Sequence, residues 1–89
     1  MIRIPEHVVT TMFDDSAVLL DTRNDVYFAL NETGGEFWSA LAKGDTVDAA
    51  VAHVCDLFDA PREVIESDMR SLVRQLIDAR LLLADGENA

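Results

Sequence analysis

The chain has 89 residues, 49% of them hydrophobic, and a formal charge of −10 from 17 acidic against 7 basic side chains. That is apolar material for a single domain over residues 1–89, with room for one site at most. The acidic balance repels phosphate backbones and anionic lipid surfaces, so it argues against nucleic acid and membrane as partners, and a single cysteine, Cys55, excludes an internal disulfide or a thiolate metal cluster.

Ile4, Val8, Val9 and two threonines predict a first strand over about His7 to Met12, with Pro5 near its start, where a lost backbone donor is tolerated on an edge. Asp14-Asp15-Ser16 forms a turn, because short polar side chains bond their own backbone there. Val18-Leu19-Leu20 is the next apolar run, Asp21 to Asp25 is a polar turn cluster, and Val26-Tyr27-Phe28-Ala29-Leu30 is rich in β-branched and aromatic residues. Three strands in meander order follow. Alternation places Val26, Phe28 and Leu30 on one face of the third strand and Tyr27 and Ala29 on the other. Neither face is strongly polar, so either both are covered or one waits for a partner.

Asn31 offers a side-chain oxygen to the free N–H groups of a starting helix, and Glu32 and Glu36 set negative charge near its positive end. Phe37, Trp38 and Leu41 form the apolar side, with the hairpin as the nearest surface to bury them. Gly34 and Gly35 are poor helix formers, which predicts a close approach of this helix to the preceding strand. Lys43-Gly44-Asp45 ends it, and Thr46 caps a second amphipathic helix carrying Val47, Ala50, Val51, Val54, Leu57 and Phe58. Asp59-Ala60-Pro61 separates this from a third, with Pro61 suited to a first helical position. There Ile65, Met69, Leu72, Val73, Leu76 and Ile77 form a stripe wider than a simple core face, consistent either with a broad core contact or with one edge lining a groove. Leu81-Leu82-Leu83 reads as a last helical turn or a short strand, and Ala84 to Ala89 as a frayed end. The N-terminus lacks the apolar core of a signal peptide and no run approaches bilayer thickness, which predicts a cytoplasmic protein.

Catalytic machinery is not visible. His7 and His53 stand far apart in spacings that suggest neither a metal site nor a triad, Cys55 has no basic neighbour in sequence to activate it, and Thr33-Gly34-Gly35 lacks the lysine of a phosphate loop. The expectation is no enzyme activity, no metal and no cofactor. A small acidic domain is also compatible with an acyl carrier, but the only Asp-Ser pair, Asp15-Ser16, precedes a predicted strand rather than a helix.

Leu19-Leu20-Asp21, Tyr27-Phe28-Ala29-Leu30-Asn31-Glu32 and Gly34 through Trp38 together resemble the signature of the PqqD-like family, and the similarity runs through nearly the whole chain. Members of that family are recognition elements that bind the leader of a ribosomally made precursor peptide and present it to modifying enzymes. The resemblance implies an α+β, winged-helix-like fold of a three-stranded antiparallel sheet followed by three α-helices. It also implies a leader that adds as an antiparallel fourth strand along Asp25, Val26, Tyr27, Phe28, Ala29 and Leu30 and lies in the groove beside the third helix, with apolar pockets supplied by Val26, Phe28 and Leu30 together with Met69, Leu72, Val73 and Leu76, and with Asp68 among the peptide-binding residues. Asp68 and Asp78, with Arg70 and Arg74, then either read charges along the leader's flank or are solvated surface.

Within the family the chain looks most like the leader-binding proteins of lasso-peptide clusters, which hand the precursor to a leader peptidase. The carrier of the pyrroloquinoline quinone precursor is the alternative. Tyr27-Phe28 in place of paired tyrosines, and the extra Gly35, depart from the pattern and bear on which leader side chains are accepted. Outside the family, a winged-helix regulator needs a basic recognition helix, whereas the third helix is evenly mixed in charge. A structural subunit that binds a partner protein through the same strand is a further alternative.

Overall fold

A computed structural model describes residues 2–84. Its elements in chain order are β1 (Ile2–Arg3), β2 (Val8–Met12), β3 (Ala17–Asp21), β4 (Val26–Leu30), α1 (Glu32–Ala42), α2 (Val47–Leu57), α3 (Arg62–Asp78) and β5 (Leu83–Ala84). Strands β2, β3 and β4 form an antiparallel meander with β4 at one edge, followed by the three helices. This is the α+β arrangement expected.

Local polar groups hold the β3–β4, β4–α1 and α1–α2 junctions. The Asp21 carboxylate, 1% exposed, accepts hydrogen bonds from the backbone N–H of Arg23 (2.9 Å) and Asn24 (3.1 Å) and from Asn24 Nδ2 (2.9 Å), closing the β3–β4 turn. Asp25 then reverses the chain at φ +55°, in the left-handed region that aspartate tolerates better than most residues. Asn31 Oδ1 caps α1 by accepting from Gly34 N–H at 2.8 Å, and Thr46 Oγ1 caps α2 by accepting from Ala49 N–H at 3.1 Å. Gly44, at φ +102°, makes the turn between them. Pro61 sits one position earlier than the sequence suggests, at the N-cap of α3 rather than inside its first turn.

Side chains directly opposite one another across the ladder share a face. Val8, Thr10 and Met12 therefore lie with Ala17, Leu19 and Asp21 and with Val26, Phe28 and Leu30 on the inner side. Ala17, Leu19 and Leu30 are buried there with Phe37, Trp38, Leu41, Val51, Val54, Ile65, Met69 and Leu76. Trp38 fixes the helix to the sheet, its Nε1 donating to Thr10 Oγ1 at 2.8 Å. Of the two faces left open by the sequence, the inner one is covered by the helices, while the outer one leaves Tyr27 and Ala29 exposed.

A two-stranded ribbon not anticipated from the sequence completes the fold. After α3 the chain turns at Arg80 (φ +63°), and Leu81 N–H returns to the Leu76 carbonyl at 2.8 Å. Leu81 and Leu82 are thereby fully buried, and β5 pairs antiparallel with β1 through Ile2–Ala84 and Arg3–Leu83. Of the segment read as a frayed end, Ala84 belongs to β5, and residues 85–89 lie outside the described residues.

Candidate functional site

Hydrogen bonds at the two ends of the β2–β3 ladder fix which backbone groups of β4 are free. Phe13 N–H donates to the Ser16 carbonyl and Thr22 N–H to the His7 carbonyl, each at 2.9 Å. Antiparallel ladders alternate, so Ser16, Val18, Leu20 and Thr22 aim their backbone groups at β2, while Ala17, Leu19 and Asp21 aim theirs at β4. Their partners Leu30, Phe28 and Val26 are thus satisfied within the sheet. The N–H and C=O of Tyr27 and Ala29 point out of its edge. Among the described residues β4 pairs only with β3, so this edge is open to a further strand.

Beside the edge runs a groove of about 430 Å³ between β4, the start of α1 and one flank of α3. Phe28, Leu30, Met69 and Leu72 supply its apolar lining, and Asn31, Thr33, Asp68, Ser71 and Gln75 its polar one. Cross-strand addition needs this combination, with backbone groups for affinity and an adjacent trough for side chains. A larger cleft, of about 540 Å³, lies along the other flank of α3 among Ile2, Val47, Asp48, Arg70, Val73 and Arg74. The strands that border it, β1 and β5, are two residues each and too short to template an added strand, so the smaller groove beside the five-residue β4 is the better candidate.

The structure brings together some of the expected residues and separates others. Phe28, Ala29, Leu30, Asp68, Met69 and Leu72 border the groove. Asp25, Val26 and Tyr27 continue the strand edge beyond it, with Val26 41% and Tyr27 70% exposed. Val73 faces the other cleft and Leu76 is fully buried in the core, so neither reaches the trough. The reason is rotation: at about 100° per residue, positions 68, 71, 72 and 75 fall within an arc of about 100°, and Val73 lies about 100° further round from Leu72, outside that arc. Arg70, Arg74 and Asp78 also lie on the far side, where Arg70 pairs with Glu66 at 3.4 Å and approaches Asp48 at 3.7 Å. Ser71 and Gln75 were missed because they are polar. Yet 68, 71, 72 and 75 follow the i, i+3, i+4, i+7 spacing that marks one helical stripe.

Among the described residues, Asp21 is the group whose titration is displaced. The hydrogen bond from the Asn24 side chain, with the N–H groups of Arg23 and Asn24 and His7 at 3.7 Å, holds its carboxyl below the usual range, although burial pulls the other way. Its partners all belong to the turn and to His7, the residue just before β2, so its work is to shape the hairpin that ends in β4. His53 lies 3.3 Å from Glu36, and among the described residues no group of three or more histidine, cysteine or carboxylate side chains could hold a metal ion. No helix among them is long and apolar enough to cross a membrane.

The family model for coenzyme PQQ synthesis protein D (PqqD) matches residues 16–82. Two solved structures share the fold over nearly the whole chain. TbiB1 in complex with the TbiA(beta) leader peptide is 31% identical, with a TM-score of 0.84 over 98% of this chain and 99% of that one. Lasso peptide synthetase B1 complexed with the leader peptide is 24% identical, with a TM-score of 0.81 over 93% of this chain and 98% of that one, a likeness of fold. No curated protein matches the chain.

Proposed function

The chain belongs to the PqqD family, and on that premise we propose that it binds the leader of a ribosomally made precursor peptide by strand addition to β4 and delivers it to a maturation enzyme. The observation that carries the reading is the open edge of β4 beside a groove, in a chain 31% identical to a protein solved with a leader peptide. Tyr27 and Ala29 supply main-chain donors and acceptors, which any sequence can meet. Phe28, Leu30, Met69 and Leu72 supply the apolar surface that selects among sequences, and Asp68 lies at the groove beside them.

The enzyme that receives the leader is a leader peptidase of a lasso-peptide pathway, and the transfer takes place in the cytoplasm, where precursors are made. The chain itself acts without catalysis or cofactor: binding and presentation account for the groove. The family match also favours a second reading, in which the cargo is the pyrroloquinoline quinone precursor and the receiving enzyme a radical one. Fluorescence anisotropy tests the proposal, using fluorescein-labelled leaders of precursors encoded beside this chain and the TbiA(beta) leader. Saturable binding of one leader, lost when its residues are scrambled, is the expected result. Failure of every leader to bind the folded protein overturns the reading.

A further inference from the structure

Gly34 is buried in the first turn of α1, where glycine is a poor helix former, and its backbone does not require it: among the described residues the only glycine with positive φ is Gly44. The reason for a glycine is therefore the space around it. A Cβ at position 34 would lie 3.3 Å from Leu72 Cδ2, 3.3 Å from Asn31 Oδ1 and 3.5 Å from Leu30 Cβ. The first of these is shorter than the roughly 3.5–4.0 Å at which carbon atoms pack at ease. All three neighbours line the groove, as does Gly34 itself. Leu30 is held in the core and Asn31 by its capping bond to Gly34 N–H, so the half-buried Leu72 side chain is the one able to give way. The direction open to it is the trough.

We infer that Gly34 sets the depth of the groove, holding room on the α1 side for Leu72 so that one bulky apolar side chain of the bound peptide can insert between β4, α1 and α3. Gly34 is thus a specificity-determining position that acts through Leu72, an assignment that rests on the leader-binding reading. The adjacent Gly35 provides an internal control. A Cβ there meets Ala17 Cβ at 3.6 Å and the backbone of Ser16 and Ala17 at 3.8 and 3.9 Å, which is ordinary contact on the side away from the trough. Both changes to alanine raise helix propensity alike. Only the one at 34 narrows the groove.

The experiment compares wild type, Gly34→Ala, Gly35→Ala and Leu72→Phe, all checked for folding by circular dichroism, against a labelled leader and a series in which each bulky apolar residue of that leader is cut to alanine. Gly34→Ala and Leu72→Phe are expected to weaken binding about tenfold or more, the order of the penalty for overpacking a filled site. Gly35→Ala is expected to stay within about twofold of wild type, as a change remote from the ligand does. One leader truncation should cost wild type heavily and cost Gly34→Ala little, because the pocket that held that side chain is already closed. If wild type binds no leader, the reading beneath fails. If wild type binds and both groove variants bind equally well with an unchanged truncation profile, the role of Gly34 is refuted; should Gly34→Ala not fold, Leu72→Phe decides alone.

Discussion

Replacing Ala29 by proline tests strand addition at the atom that matters. Tyr27 and Ala29 turn two N–H and two C=O groups out of the edge of β4, so an antiparallel peptide over this span makes up to four ladder bonds. At a net value of about 1 kcal/mol each, they contribute about 4 kcal/mol to binding, close to three orders of magnitude in Kd. Proline at 29 deletes one donor, and its ring fills the space where the peptide's carbonyl has to come, so both bonds of that residue pair are lost. The loss is about 2 kcal/mol, or roughly thirtyfold in Kd. The domain itself should survive, because proline is accepted on an edge strand when the missing N–H faces outward, and Phe28 before it is already extended. Phe28→Pro is the opposing control: it removes a bond to Leu19 inside the sheet and should unfold the hairpin. Anisotropy with the labelled leader reads the affinity, and circular dichroism shows that the variant is folded. A folded Ala29→Pro with wild-type Kd refutes the model of main-chain recognition.

Leu72→Ser should weaken leader binding while Val73→Ser leaves it unchanged, since the two residues border clefts on opposite flanks of α3; equal effects in anisotropy would mean that the wrong cleft was chosen. Thr10→Val leaves the indole N–H of the nearly buried Trp38 without its partner and should cost about 1–3 kcal/mol in chemical denaturation followed by Trp38 emission. Asp21 should make the domain acid-sensitive. Its folded carboxyl titrates below the ordinary value, so its stabilisation is complete above that value and is lost as pH falls through the folded one. Melting temperatures measured from about pH 6 downward should therefore fall for wild type, and the slope should be shallower in Asp21→Asn; parallel profiles for the two would contradict this. Leu82→Ala, at a fully buried position beside the β1–β5 ribbon, should cost about 2–5 kcal/mol by calorimetry.

The order of elements was legible in the sequence because the signals that set it are local. Asn31, Thr46 and the Asp21 turn cluster act on backbone groups within four residues, and the alternation of Val26–Leu30 and the stripe through Ile65, Met69 and Leu76 state the period of each element directly. The PqqD signature was legible for the same reason, since its words lie in one stretch around the β4–α1 corner. The β1–β5 ribbon was not, because a pairing between Ile2–Arg3 and Leu83–Ala84 depends on where the whole intervening chain places its ends.

What the sequence by itself determined, then, is the architecture, the family and, through that family resemblance, the strand expected to receive a peptide. Which side chains stand beside that edge was decided only by tertiary packing. α3 presents apolar residues on nearly two flanks, and its rotation against α1 and α2 sends Leu72 toward β4, Val73 toward β1 and Leu76 into the core. That rotation is an energy balance over all three helices at once, so no window of neighbouring residues contains it.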